Sequence, residues 1–333
     1  MTITVVIPTY NRNEQLSRVV DNLLVSDTSG VESIEIIVVD DGSPSPAKEV
    51  ANSRSVKEPF QLRYVRQENA GPAEARNNGF KHSSNELVLF IDDDILVFPD
   101  LIKRHAEAHR EKPRSVIFGQ SPYLESNETT PAYRYLNQLV DQSFRSVGAA
   151  QTDKYVRVDI VASGNLSVEK SLFTDRAVYA PGLKVPVGEE YELSAYLKER
   201  NIPIYFCPGI KGWHLQKATL EDTCIQNYKY GLGIAELAAK RPDVLERLEQ
   251  PRLIFETNRE IRRGDSLGLK VKKAIRSSIA SEAIRKVMLG STKLAERLIP
   301  IDPLLFAGYR LTIGTYFAAG IKDGITRFGK EDQ

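Results

Sequence analysis

Apolar runs recur through the first third of the chain, and each stops abruptly in polar residues. Ile3-Thr4-Val5-Val6-Ile7 ends at Pro8-Thr9-Tyr10-Asn11-Arg12. The period then changes: Leu16, Val19, Val20, Leu23 and Leu24 fall on one face of a helix, with Asn11 or Asn13 as the expected N-cap. Ile34 to Val39 is a second apolar run, closed by Asp40-Asp41 and a Gly-Ser-Pro turn. A short helix near Pro46 to Asn52 leads to a third strand, Gln61 to Arg66, and Asn69-Ala70-Gly71-Pro72 opens a helix through Phe80. Leu87-Val88-Leu89-Phe90-Ile91 is apolar without alternation, so it reads as a strand covered on both faces. Pro99 to Arg110 reads as a helix and Ser115 to Phe118 as a fifth strand. Strand and helix thus alternate through residue 120, the pattern of an α/β fold with a mainly parallel sheet flanked by helices.

The second half is less regular. Pro131 to Phe144 reads as a helix, Tyr155 to Val161 as a strand and Ser163-Gly164-Asn165 as a tight polar loop. Glu189-Glu190 opens a helix with Leu193, Tyr196 and Leu197 on one face; Ile204 to Pro208 is a short strand, followed by Trp213-His214. Beyond Leu215 the pattern is helical throughout: Thr219 to Lys240, Asp243 to Arg263, Leu267 to Met288 and Leu304 to Phe328. Val271, Ile275, Ile279, Ala283 and Val287 make an apolar stripe with Lys270, Lys272, Lys273 and Arg276 around it. Two placements suit such a stripe: packed on the main domain as a helical cap, which is the preferred reading, or laid on an anionic bilayer. The expected division is a domain over residues 1–218 and a helical C-terminal region over 219–333.

Composition narrows the classes. A chain of 333 residues with 41% apolar residues supports one large domain with an appendage. The net charge of +1 argues against a general nucleic-acid binder. Cys207 and Cys224 give neither a disulfide framework nor a metal knuckle, which fits a reducing, cytoplasmic setting. The chain enters a strand at once, so no signal peptide is expected, and no long uncharged apolar stretch predicts a spanning helix.

The chemistry centres on Asp92-Asp93-Asp94, at the mouth of the buried fourth strand. Adjacent like charges repel, so something positive is expected there, and a hard cation such as Mg2+ or Mn2+ suits carboxylates and phosphate. An ordinary solvated acidic turn fits the triplet alone equally well. Three strands end in polar loops, Pro8 to Arg12, Asp40 to Ser43 and Asp92 to Asp94, which should share one edge of the sheet, where open α/β sheets bind ligands. Neither a Gly-x-Gly-x-x-Gly fingerprint nor a P-loop follows the first strand. His105 and His109 lie four apart on a helix; the spacing can hold zinc, but Glu107 lies on another face, and a solvated face is the expectation. Trp213 is expected in the core.

Five segments occur in one order: Val6-Ile7-Pro8-Thr9-Tyr10-Asn11-Arg12, Val38-Val39-Asp40-Asp41-Gly42-Ser43, Asn69 to Gly79, Asp92-Asp93-Asp94 and Gly188-Glu189-Glu190. Together they resemble the inverting family-two glycosyltransferases of the GT-A fold, over roughly residues 1 to 220. The resemblance implies a nucleotide-binding half (1–120) and an acceptor and catalytic-base half (121–218). Pro8, Thr9, Tyr10, Asn11 and Arg12 would line the nucleotide pocket. Asp40 would hydrogen-bond the base, with uracil implied, and Asp41 would lie beside it. Arg76 and Asp93 would lie near the nucleotide, Asp92 would face ribose or metal, Asp94 would bind the metal, and His214 would add a ligand. Glu190 matches the catalytic base; the family usually has Asp there after a Glu, so Glu189 is the second candidate.

The implied activity is metal-dependent, inverting transfer of a sugar from a nucleotide-sugar donor to a glycan or lipid-linked hydroxyl acceptor, in polysaccharide, glycolipid or cell-envelope glycan synthesis. The setting would be cytoplasmic, with peripheral membrane contact through the C-terminal helices. The rivals are a sugar-1-phosphate nucleotidyltransferase and a non-catalytic sugar-nucleotide-binding module.

Overall fold

A computed structural model describes residues 1–124, 130–146, 153–183, 185, 187–215, 219–298 and 301–329. The chain divides into two compact units. The first comprises Met1–Leu124, Val140–Gly182 and Tyr196–Gln216; the second comprises Glu125–Leu139, Leu183–Ala195 and Lys217–Gln333.

Among the described residues, all strands lie in the first unit: β1 (Thr2–Thr9), β2 (Ser33–Asp40), β3 (Phe60–Arg66), β4 (Leu87–Ile91), β5 (Ile95–Val97), β6 (Val116–Gln120), β7 (Val156–Val158), β8 (Asn165–Glu169) and β9 (Ile204–His214). Their order is β3-β2-β1-β4-β8-β6-β9-β5, with β7 also paired to β9. β1 to β4 are mutually parallel, β6 and β9 continue in their direction, and β8, β5 and β7 run against it. The sheet is therefore mixed but mainly parallel.

β8 departs from the sequence reading, which ended a polar loop at Asn165. Asn-Leu-Ser-Val-Glu inserts between β4 and β6 as an antiparallel strand. Its polar residues face the interior because partners wait for them there. The structure also buries the two histidines expected at a solvated face. They lie on α4 (Leu101–Glu111), with His105 fully buried and His109 nearly so. His105 Nδ1 lies 2.8 Å from Ser167 Oγ and its Nε2 lies 2.9 Å from Asn165 Oδ1; His109 Nε2 reaches the same Ser167 hydroxyl at 2.8 Å. The partners stand some sixty positions along the chain, so helical spacing could not reveal them.

Burial, with a smaller push from His109 and against the hydrogen bond with Asn165, drives the His105 pKa down to about 3. The folded protein thus keeps this ring neutral where the unfolded chain, near 6.5, would protonate it. Stability should be full above about pH 6.5 and fall on acidification toward about 3, since protons then favour the unfolded chain. We expect a loss of about 2 kcal/mol between pH 7.5 and pH 5 from this group, read by urea denaturation. An imidazole NMR titration of His105 with a midpoint near 6.5 would contradict it.

The helices of the first half pack as their apolar spacing demands. α1 (Asn13–Leu23) buries Leu16, Val19, Val20 and Leu23. Neither Asn11 nor Asn13 caps it: Arg12 holds the cap position without a side-chain bond. Asn11 N–H donates to Ser43 Oγ at 2.8 Å and Asn13 Nδ2 to Ser45 O at 3.3 Å, so both asparagines tie α1 to the loop after β2. α2 (Lys48–Asn52) is short, and α3 (Pro72–His82) packs on β1 and β2 so closely that a Cβ at Gly79 would collide with Val6 Cγ1. Alanine gains up to about 1 kcal/mol of helix propensity over glycine, whereas overpacking costs about 1–3 kcal/mol. Gly79→Ala should therefore lower the urea midpoint, and an unchanged or raised midpoint would show that β1 yields there.

The unit boundary falls within α5 (Pro131–Ser146) and α6 (Gly188–Glu199). The second unit adds α7 (Leu220–Lys240), α8 (Pro242–Arg247), α9 (Glu249–Asn258), α10 (Leu267–Ile279), α11 (Glu282–Leu298) and α12 (Asp302–Phe328). Two long predicted helices are each split: at an extended Leu248, where Pro251 cannot bond back to the Arg247 carbonyl and its ring would clash with it, and at Ala280-Ser281, where neither glycine nor proline signals a break. Leu220, Cys224, Leu305, Tyr309 and Ile313 form one core of this unit, and Leu237, Val244, Leu245 and Leu248 another. α7 and α12 cross backbone to backbone: a Cβ at Gly320 would overlap the Tyr228 carbonyl, and one at Gly231 the Phe317 carbonyl.

Candidate active site

The parallel register aligns the polar ends of three strands. Thr9 pairs with Asp40 across β1 and β2, and Val6 pairs with Phe90 across β1 and β4. The three loops expected on one edge of the sheet lie there together.

Asp93 joins two of them. Its Oδ2 accepts from Thr9 Oγ1 at 2.7 Å and its Oδ1 from Arg12 Nη1 at 3.1 Å. The same Arg12 nitrogen donates to Asp94 Oδ2 at 3.0 Å. Burial pushes the Asp93 pKa up to about 6; Arg12 opposes the rise, while Asp94 and Asp92 add to it. Burial also works against the Asp94 charge, but His214 and Arg12 together hold that pKa below its ordinary value. Asp93 thus links the loops after β1 and β4, and Arg12 balances charge that would otherwise be crowded into three adjacent residues. Pro8 is buried at the end of β1, whereas Tyr10 is half exposed.

Asp92 points another way. Its Oδ1 accepts from Arg76 Nη2 at 2.6 Å, and its Oδ2 is so near Gly164 that a Cβ there would lie 2.8 Å from it. Arg76, nearly buried on α3, also lies over the Tyr179 ring, 5.5 Å from its centroid. Asn77 fixes Tyr179 by hydrogen bonds to both its backbone N–H and its carbonyl.

Asp94 faces His214. β5 pairs with β9 so that Ile95 lies opposite His214, and Leu215 N–H donates to the Asp94 carbonyl at 2.7 Å. Asp94 Oδ1 and His214 Nδ1 stand 3.5 Å apart, and Nδ1 is buried without a hydrogen bond. The Tyr123 ring stacks on the imidazole at 5.3 Å and 26°. A carboxylate oxygen and a ring nitrogen at this separation suit two ligands of one Mg2+ or Mn2+ ion, each bound at about 2.1 Å. Among the described residues no three His, Cys, Asp or Glu side chains converge as an ion cage, so Asp92 does not complete a trio with this pair. The rest of a shell would come from diphosphate and water, which is how Mg2+ is commonly held.

Asp40 requires a correction. Its carboxylate is completely buried and accepts four hydrogen bonds, from Ser43 N–H, Ala47 N–H, Tyr64 Oη and Arg66 Nη1. It has no exposed oxygen to offer a base; in this conformation it organises the loop after β2. Asp41, also buried, accepts from Gln67 Nε2 and from the N–H groups of Ala70 and Gly71, stitching that loop to the start of α3. Gly42 is needed here, at φ 78°, because a Cβ would approach Asn69 N to 2.7 Å.

Glu189 and Glu190 lie in the second unit, in the first turn of α6. Glu189 is buried and Glu190 half-buried. The approach to the helix is held locally: Val185 N–H donates to Glu236 Oε2 at 2.9 Å, and Val187 adopts a φ of 82°, which a β-branched residue rarely takes. Several side chains that build the site carry no sequence signal: Tyr64 and Arg66 beneath Asp40, Tyr179 under Arg76, and Tyr123 on His214. Each belongs to an ordinary strand or loop position, and only the fold brings it to its partner. Trp213 is half-buried against Phe98, with ring centroids 5.4 Å apart.

Residues 4–166 match the sequence model of Glycosyl transferase family 2. A validoxylamine A glucosyltransferase of Streptomyces hygroscopicus subsp. jinggangensis is 36% identical over 120 residues, 35% of this chain and 28% of that relative. The chain therefore spans little more than a quarter of that relative's length. Among solved structures, the mannosyltransferase PcManGT from Pyrobaculum calidifontis, in complex with GDP-Man and Mn2+, superposes with a TM-score of 0.59 over 95% of this chain and 86% of its own, at 14% identity. Residues 1–349 of S. aureus TarS give 0.51 over 100% and 92%, at 16% identity. Sequence family and fold agree with the resemblance carried by the five segments, and residues 4–166 form a family-two glycosyltransferase domain on a GT-A scaffold.

Proposed function

We propose that the chain transfers a sugar, with inversion, from a UDP-linked donor to a hydroxyl acceptor of a glycan or lipid carrier, in polysaccharide, glycolipid or cell-envelope glycan synthesis. One observation carries the reading furthest. In a family-two domain, at the ligand-binding edge of the sheet, Asp94 and His214 face each other across 3.5 Å and leave an imidazole nitrogen buried and unsatisfied. That pair would hold Mg2+ or Mn2+. The chemistry such an ion supplies is Lewis-acid neutralisation of a leaving diphosphate. The Mn2+ in the Pyrobaculum neighbour supports this assignment at the level of the fold.

The remaining work falls to the chain's own residues. Arg12, anchored on Asp93 and Asp94 and 44% exposed, directs positive charge toward the donor phosphates. Arg76 fixes Asp92 at the sugar end of the nucleotide. Pro8 to Asn11 and the loop organised by Asp40 and Asp41 form the wall for the nucleoside. Glu190 takes the proton of the acceptor hydroxyl as its oxygen bonds to the anomeric carbon and the bond to the diphosphate oxygen breaks. One displacement needs no covalent enzyme intermediate and inverts the centre. A lipid-linked acceptor would set the reaction at a cytoplasmic membrane face.

A panel of UDP-, GDP- and dTDP-sugars incubated with Mn2+ tests the proposal, with GDP-mannose as the first competitor. Release of nucleoside diphosphate is the expected product. With pyrophosphate added, conversion of the donor to a nucleoside triphosphate and a sugar 1-phosphate would mean nucleotidyl transfer, and no turnover with tight donor binding would mean a binding module.

A further inference from the structure

α10 is turned inside out. Its Lys273 is buried, with the ammonium 2.6 Å from Asp265 and 3.2 Å from the Glu260 carbonyl. Its apolar stripe, Leu267, Val271 and Ile275, lies on the opposite side and is 79%, 51% and 56% exposed. The stripe expected to pack on the protein therefore faces outward. The next two helices repeat the arrangement. α11 turns Thr292 inward, where its hydroxyl meets that of Thr312 at 2.8 Å, and exposes Val287, Leu294 and Leu298. α12 buries Leu305, Tyr309 and Ile313 in the core of its unit and exposes Leu304 and Leu311, with Ile301, at its N-cap, exposed as well. Soluble proteins seldom leave apolar stripes of this kind uncovered on successive helices.

Charge identifies the cover. Residues 267–311 contain nine Lys and Arg against three Asp and Glu, a balance of +6 that falls to +4 once the pairing of Lys273 with Asp265 and of Lys293 with Glu221 is counted, in a chain whose total is +1. By helical spacing Lys270 flanks the α10 stripe on one side and Lys272 and Arg276 on the other. On α11, Arg297 runs beside the exposed leucines, as do Lys286 and Lys293, which are paired with Glu282 and Glu221. Apolar side chains edged by basic ones suit a helix lying in a lipid headgroup layer. A second copy of this face would bring like charges together. α12 is the one described helix long and apolar enough to cross a membrane, but half of that apolar stretch is buried in its unit. Its glycine crossing with α7 commits it to protein. We infer that α10, α11 and the start of α12 dock this chain on an anionic lipid surface without spanning it. The inference is independent of the transfer chemistry, because α10, α11 and the start of α12 carry none of the residues of the proposed site and binding needs no donor.

The test is co-flotation of the full chain with vesicles of phosphatidylcholine, with and without phosphatidylglycerol, at low and high salt. Binding is expected only to the anionic vesicles and should weaken at high salt. Lys272→Gln and Arg276→Gln should each lower the partition constant roughly five-fold. Val271→Asp/Ile275→Asp should abolish flotation while donor hydrolysis and melting temperature stay unchanged. The glutamine variants, at exposed positions, keep the test open if the double aspartate variant misfolds. Absence of flotation at low salt, or equal binding to neutral vesicles at high salt, overturns the inference. So does a dimer in sedimentation equilibrium that ignores vesicles and is broken by the aspartates.

Discussion

Glu190→Gln is expected to lower kcat by at least ~100-fold with donor affinity nearly kept, the scale of losing a general base. The two candidates, Glu189 and Glu190, share the first turn of α6, where the helix dipole favours the ionised carboxylate that a base must be. Adjacent helical side chains diverge by about 100°, so both cannot face one acceptor equally. Glu189 is 4% exposed, whereas Glu190 is half-buried, and a base must meet a hydroxyl that arrives from solvent. Glu189→Gln should therefore cost less in kcat and more in stability. Glu236 and the left-handed Val187 brace the turn that leads into this helix. NMR of the product should give the anomeric configuration opposite to the donor's. Retention, or a Glu190→Gln enzyme at near wild-type rate, would remove Glu190 from its role.

Asp94→Asn should lower kcat/KM by about 100- to 1,000-fold, equivalent to about 3–4 kcal/mol of transition-state stabilisation. The exchange is isosteric, and Arg12 keeps its bond to Asp93, so the fold should survive. His214→Ala should reduce activity by a smaller factor, since a neutral ligand is lost and the carboxylate remains. Mn2+ affinity, read by electron paramagnetic resonance without donor, should fall in both variants. Unaltered Mn2+ binding in Asp94→Asn would detach the ion from this pair.

Legibility in the sequence followed the range of the interactions. The apolar runs of β1, β2 and β4 dictate their own burial, and their polar ends fall on one edge because parallel strands must align there. Those features were visible in the residues. β8 was not, because its Asn165 and Ser167 look like loop residues until His105 and His109 are seen against them. Asp40 was identified as a site residue, but its neighbours Tyr64 and Arg66, which saturate its carboxylate, sit on a different strand. Periodicity found the α10 stripe and misjudged its direction. The buried Lys273–Asp265 pair settles which side turns inward, and no helical pattern encodes that. The pairing of Asp94 with His214 depends on β5 and β9 meeting across more than a hundred residues of chain.

The most direct measurement is nucleoside diphosphate release by the wild-type chain with donor and acceptor in Mn2+, after EDTA, and after Mn2+ is restored. The account predicts turnover that EDTA abolishes and added Mn2+ recovers. Full turnover in EDTA would contradict it.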